Sequence, residues 1–162
     1  MQEPWDFDAF LTGTAPALTG YCAAIAGCAD GEDAAQEALV RLWQNRAQIP
    51  NEKAAAVFVY RTAYRLCVDA LRRRKRQQTA EARMQEEYQN DRLTDRLSDR
   101  MLLALRTLSP ADRAIVYSRV LEEVPYGQIA ERFGKTEAWA RKRYSLARLK
   151  LEKILTKEEE HG

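Results

Sequence analysis

Histidine is almost missing from this chain: the single one, His161, stands at the tail of 162 residues. Three cysteines, Cys22, Cys28 and Cys67, are too few and too scattered for a zinc site or a disulfide framework. They fall on apparent helix faces, where buried thiols are expected. The sequence also has no Cys-His pair, no carboxylates paired on one face and no phosphate-cradling loop, so it offers nothing for nucleophilic, acid-base or nucleotide chemistry. No enzyme, no cofactor and no metal are expected. No apolar run looks long enough to span a membrane, and the start MQEPWDFDAF lacks the positive charge and apolar centre of a signal peptide. The expectation is a cytoplasmic protein without membrane insertion.

What is present is a globular composition, 46% apolar and 31% charged, in a length that suits one medium domain or two small helical ones. The net charge of +2 conceals a strong segregation. Residues 1–49 carry two basic against seven acidic side chains, residues 61–76 seven against one, and residues 132–157 nine against two. Two basic patches separated by a neutral-to-acidic stretch suggest two contacts with a polyanion.

The second patch lies on the pattern of a helix-turn-helix. Ile129, Ala130 and Phe133 mark the apolar face of a first helix, Gly134 supplies the permissive backbone of its end, and Thr136 can cap the next. On that next helix Ala140, Tyr144, Ala147, Leu151 and Ile154 form one apolar stripe. Arg141, Lys142, Ser145 and Arg148 lie roughly opposite, where cations and a hydroxyl can reach base edges in the major groove.

Upstream, residues 5–28 read as a short aromatic-led helix followed by an amphipathic one. Acids from Asp30 to Asp33 open a helix that should bury Ala35, Ala38, Leu39, Leu42 and Trp43. Its outer face then shows Asp33, Gln36, Glu37, Val40, Arg41 and Gln44. After Pro50 and Asn51 a long helix is expected from about Glu52 to Arg76, with Val57, Tyr60, Tyr64, Cys67 and Leu71 as its buried stripe. Phe58, Arg61, Thr62, Arg65 and Asp69 point more nearly the other way, before the run from Arg72 to Arg76. Rings interleaved with cations suit bases and phosphates. Gln77 to Asp99 is polar and reads as a linker, Leu97, Met101, Leu105 and Leu108 form a helical seam, and Ser109-Pro110-Ala111-Asp112 restarts a helix with a cap and a first-turn proline.

Taken together, these segments resemble a known family. The segment DAAQEALVRLW from Asp33 to Trp43 is similar to the DxxQExFLRxW signature of the second conserved region of sigma-70-type factors, and Phe58 to Arg72 to its continuation. Leu108 to Arg148 is similar to the fourth conserved region. A chain with only these two regions resembles the extracytoplasmic-function sigma factors. The resemblance implies an all-α fold of two small helical domains, a region 2-like domain over 1–76 and a region 4-like helix-turn-helix domain over 97–157, joined by a polar linker over 77–96.

The resemblance also implies roles. Asp33, Gln36, Glu37, Val40 and Arg41 would dock on the clamp helices of the largest subunit of core RNA polymerase. Phe58, Tyr60, Arg61, Tyr64 and Arg65, with Arg72, Arg73 and Arg74 on phosphates, would serve the opened minus-10 element of promoter DNA. Arg141, Lys142 and Ser145 would read the minus-35 element, with Thr136, Arg143 and Arg148 near phosphates. An anti-sigma factor is the expected restraining partner. The chain departs from the family pattern at Ala55 and Phe58, at Arg65, at Ala138-Trp139-Ala140 and at Leu146. Two other readings fit the residues: a two-domain helix-turn-helix regulator of duplex DNA, and a polymerase-binding or anti-sigma-binding module without promoter reading.

Overall fold

The structure is a computed structural model that describes residues 5–78 and 99–161, and every regular element among them is helical. The expected linker falls mostly on residues 79–98, which lie outside the described residues, as does Leu97.

Helix α1 spans Phe7–Ala26 and is capped by Asp6, whose carboxylate accepts the Ala9 N–H at 3.0 Å. The expectation of two helices here is corrected. Pro16 lies within α1 on its exposed side, where the Thr12 carbonyl that loses its helical partner faces water. A second correction concerns apolarity: α1 reaches a mean hydropathy of 1.2 over an 18-residue window, long and apolar enough to cross a membrane by length and composition. Its buried side, including Leu18, Tyr21, Cys22 and Ile25, belongs instead to the core formed with the next two helices.

Gly27, with φ at 92°, reverses the chain, and helix α2 (Cys28–Gln44) begins at once, two residues before the first of the expected acids. The α1–α2 crossing is tight because residue 31 has no side chain. A Cβ on Gly31 would sit 2.5 Å from the Ala23 backbone nitrogen. Trp43 departs from expectation, being 45% exposed, because Ala34, Ala35, Ala38 and Leu42 take the core-facing positions of α2.

After a 3-10 turn (Arg46–Gln48), helix α3 spans Glu52–Arg76 as expected, with the Asn51 side chain accepting the Ala54 N–H at 2.8 Å. Its buried stripe is Ala55, Val59, Tyr60, Ala63, Cys67 and Ala70. The expected Val57, Tyr64 and Leu71 sit half-buried at the border of that stripe. Small residues let α3 approach α1 and α2 closely, so the alanines win the centre and the larger side chains flank it.

The second unit holds α4 (Asp99–Arg106), α5 (Pro110–Val120), α6 (Tyr126–Phe133) and α7 (Glu137–His161). Ser109 caps α5, with Pro110 in its first turn. Gly134, at φ 65°, ends α6 in the left-handed conformation, and the Thr136 hydroxyl accepts the Trp139 N–H at 3.1 Å to open α7. One core cluster joins α4, α5 and α7 through Leu105, Leu108, Val116, Ala147 and Leu151. Another, of Ile115, Ile129, Ala130 and Ala140, seats α6.

The two units touch. Ala114 and Tyr117 of α5 are buried in the same cluster as the core of α1, α2 and α3, and Phe133 of α6 packs at its edge.

Candidate functional site

Three surfaces carry the residues that the sequence marks. The first is the outer side of α2. Asp33, Gln36, Glu37, Val40 and Arg41 are all exposed there, and Val40 is 48% exposed although apolar. Arg41 Nε donates to Glu37 Oε1 at 3.1 Å, one turn back along the helix. Trp43 adds an aromatic ring to this side that the periodicity had assigned to the core. The Arg46 guanidinium stacks 3.8 Å from the centroid of that ring, and Phe7 meets it edge-on at 5.6 Å. An exposed valine and tryptophan thus lie among charged side chains and make this side of α2 amphipathic.

The second surface is α3, where the structure separates residues that the sequence had grouped. Arg65, Arg72 and Arg73 are exposed. Phe58 is half-buried, and an open pocket beside it is lined by Lys53, Val57, Arg61, Thr62 and Arg65. Tyr60 lies in the buried stripe, as the periodicity expects: it is 7% exposed, crossed edge-on by Tyr21 at 4.9 Å and covered by the Arg132 guanidinium 3.6 Å above its ring. A helix with a period of 3.6 carries Tyr60 to the same side as Val59 and Ala63, and two neighbouring helices then close over it. Arg61 donates through Nε and Nη2 to the Glu131 carbonyl, the former at 3.1 Å. Tyr64 meets Phe133 edge-on at 5.0 Å. Arg74 is also not as expected, since it turns back to Asp30 at 2.8 Å and ties the end of α3 to the start of α2.

Burial sets the ionisation of this region. Loss of water around the phenols pushes Tyr21, Tyr60 and Tyr64 above the ordinary value of 10.0, against the lowering influence of Arg132 on the first two and of Arg143 on the third. The Cys22 thiol is raised by its hydrogen bond with Cys67 and by burial, so it stays protonated. All three cysteines are buried. Among the described residues no cluster of His, Cys, Asp or Glu could hold a metal ion.

The third surface is the outward side of α7. Arg141, Lys142, Ser145 and Arg148 are exposed together, as the wheel predicts, while Ala140, Ala147 and Leu151 are buried beneath them. Arg141 is held by Glu137 at 2.7 Å and lies 4.7 Å from the Tyr126 ring centroid, and Arg148 pairs with Glu152 at 3.0 Å. Exposed i,i+4 pairs of this kind are worth under about 1 kcal/mol, so they orient the guanidinium groups without tying them up. Arg143 instead turns inward to Asp112 at 3.0 Å. Trp139 lies against Phe133, with centroids 5.4 Å apart, and so braces the α6–α7 turn. Leu146, the other departure, is 55% exposed on the same helix.

A helix-turn-helix behind a three-helix unit with an amphipathic outer side is the arrangement of a two-region transcription factor. The model for Sigma-70 region 2 matches residues 10–77, and that for Sigma-70, region 4 matches residues 98–151. The chain belongs to the sigma-70 family. The pairing of these two regions is that of the extracytoplasmic-function type, and the protein is an RNA polymerase sigma factor that binds core polymerase and promoter DNA to initiate transcription. No curated protein matches the chain.

Arg113 is a residue that sequence reasoning passed over. Its Nε donates to the Leu105 and Leu108 carbonyls, Nη2 to the Arg106 carbonyl and Nη1 to the Ile25 carbonyl. It therefore satisfies the orphan carbonyls at the end of α4. The only available signal was an arginine one turn beyond a Ser-Pro helix start.

Proposed function

We propose how this sigma factor divides its work among the three surfaces. The exposed side of α2, with Asp33, Gln36, Glu37, Val40 and Arg41, docks on the clamp helices of the polymerase largest subunit, and Trp43 widens the apolar part of the contact. Along α3, Phe58, Arg61, Tyr64 and Arg65 attend the opened minus-10 element while Arg72 and Arg73 hold phosphates. Arg141, Lys142 and Ser145 of α7 read the minus-35 element in the major groove, with Thr136 and Arg148 beside the backbone. The observation that carries this reading is the joint exposure of Arg141, Lys142, Ser145 and Arg148 on one side of α7 above a buried stripe.

The factor hydrolyses nothing in this reading; binding supplies the work. Opening about a dozen base pairs costs on the order of 15 kcal/mol at roughly 1.4 kcal/mol per stacked step. Capture of a few unstacked bases returns about 1–3 kcal/mol each, and phosphate contacts add to it. That sum approaches the cost only when the polymerase holds the strands, so the factor acts as part of the holoenzyme, in the cytoplasm. A restraining anti-sigma factor belongs to the same reading. Its support is an apolar groove of about 190 Å³ between α4, α5 and α7, lined by Met101, Leu105, Val116 and Leu151.

Run-off transcription on genomic promoter fragments, with core polymerase and this protein, tests the proposal. Transcripts that require both are the expected result. Operator-like binding to duplex DNA without polymerase, and no transcript with it, would favour a simple helix-turn-helix regulator.

A further inference from the structure

Two of the α3 residues that the proposed function assigns to opened DNA, Arg61 and Tyr64, are covered by the second unit, together with Tyr60 beside them. Three consecutive residues of α6 do the covering. The Glu131 carbonyl, near the helix C-terminus, takes two donors of the Arg61 guanidinium; Arg132 lies over the Tyr60 ring at 3.6 Å; Phe133 meets Tyr64 at 5.0 Å. An exposed ion pair, Lys53 Nζ to Glu131 Oε1 at 3.3 Å, continues the seam along α3. On the far side Arg113 donates to the Ile25 carbonyl at 2.7 Å, and Ala114 and Tyr117 are buried against the first unit.

We propose that the free sigma factor masks itself: α6 lies across the side of α3 that bears Tyr60, Arg61 and Tyr64, and must leave before that side takes single-stranded DNA. The chemistry is exclusive. The Nε/Nη2 edge of a guanidinium that rests on a backbone carbonyl cannot at the same time clamp a phosphate, a ring covered by an arginine does not offer that face to a base, and a ring abutted by a phenylalanine is hindered from stacking. The masking is also selective. The outer side of α2 and the reading side of α7 stay exposed in the same arrangement, so polymerase can be engaged while strand capture waits. The α6 part of the seam consists of cation–ring and edge-on ring contacts, while on the far side Ala114 and Tyr117 are uncovered when the units part, so sustained opening needs a partner that holds them apart. A state open only about 10% of the time weakens apparent affinity about tenfold, and that factor is recovered when a partner holds the units apart.

The test rests on the assignment of α3 to opened DNA, and it keeps the two ideas separable. Because the native thiols are buried, Gln48→Cys and Lys150→Cys place spin labels selectively on the first and second units of the full chain. The free protein should give one short, narrow distance distribution, and added core polymerase should lengthen it. Arg132→Ala should broaden and lengthen the distribution without polymerase, whereas Arg132→Lys, which keeps the cation over Tyr60, should not. Random-sequence single-stranded DNA is the second probe. Loss of a positive charge should by itself weaken its binding, so a several-fold tightening in Arg132→Ala reports unmasking. Unaltered distances together with weaker oligonucleotide binding in Arg132→Ala overturn the mask, as does a free wild-type chain that is already open. Should neither protein bind core polymerase, the docking proposal fails, and the free-chain distances and oligonucleotide affinities still decide the mask.

Discussion

Arg113 joins parts that the chain order keeps apart, and its value can be measured. It satisfies the last carbonyls of α4 and one at the end of α1, all from a half-buried position. Arg113→Met keeps the length of the side chain but leaves those carbonyls without donors. Hydrogen bonds to a charged group are worth about 1.5–3 kcal/mol, so the variant should lose stability of that order in urea titration. A loss under about 0.5 kcal/mol, the range of ordinary surface substitutions, would show that water takes over the role. Gly31 makes a complementary case, since a Cβ there meets backbone atoms of Ala23 and Cys22 within 2.7 Å. Gly31→Ala forces α1 and α2 apart and should cost about 1–3 kcal/mol, despite the better helix propensity of alanine. A neutral or stabilising result would mean that the crossing is looser than the structure has it.

Helices in this protein were legible where their signals are local. Ser109, Gly134 and Thr136 each act within four residues of their own position, and each caps or ends a helix as the sequence implies; Asn51, read only as a break, caps α3. Sides of helices were less legible. Trp43, Val57 and Tyr64 sit at the borders of apolar stripes, where a rotation of a few tens of degrees decides between core and surface, and only the neighbouring helices settle the matter. Arg61 and Arg74 read as free cations because their partners, Glu131 and Asp30, lie far away in sequence.

Those side assignments separate the two basic surfaces experimentally. Arg141→Ala or Lys142→Ala in the polymerase complex should cost about 1–3 kcal/mol on cognate upstream duplex and relax sequence preference. Arg72→Ala or Arg73→Ala, from the exposed end of α3, should weaken all sequences alike and lower the salt slope by about one unit per contact. Equal loss on cognate and scrambled duplex for Arg141→Ala would reduce α7 to a phosphate clamp. On α2, Gln36→Ala with Arg41→Ala should weaken capture of core polymerase while leaving helicity intact. An unchanged pull-down would place docking elsewhere.

At the scale of the whole molecule, the phenols under the contact between the two units link ionisation to stability. Tyr21, Tyr60 and Tyr64 are raised above 10.0 chiefly by burial, so the unfolded chain releases their protons at lower pH than the folded one. Their contribution is fully present below the unfolded value, near 10, and is lost as pH rises from there through the folded values. Each phenol ionised only in the unfolded state costs about 1.4 kcal/mol per pH unit. Urea unfolding of the full chain should therefore give a stability unaffected by these phenols from pH 8 to 9 and falling steeply above 10. Tyr21 offers the cleanest control, since its buried hydroxyl has no hydrogen-bond partner among the described residues. Tyr21→Phe removes a desolvated hydroxyl and should stabilise the protein at neutral pH by about 1 kcal/mol, while making the alkaline fall shallower by one phenol. If Tyr21→Phe instead destabilises at neutral pH and leaves the alkaline slope untouched, the hydroxyl is satisfied by buried water, and its ionisation contributes nothing to the pH limit of the fold.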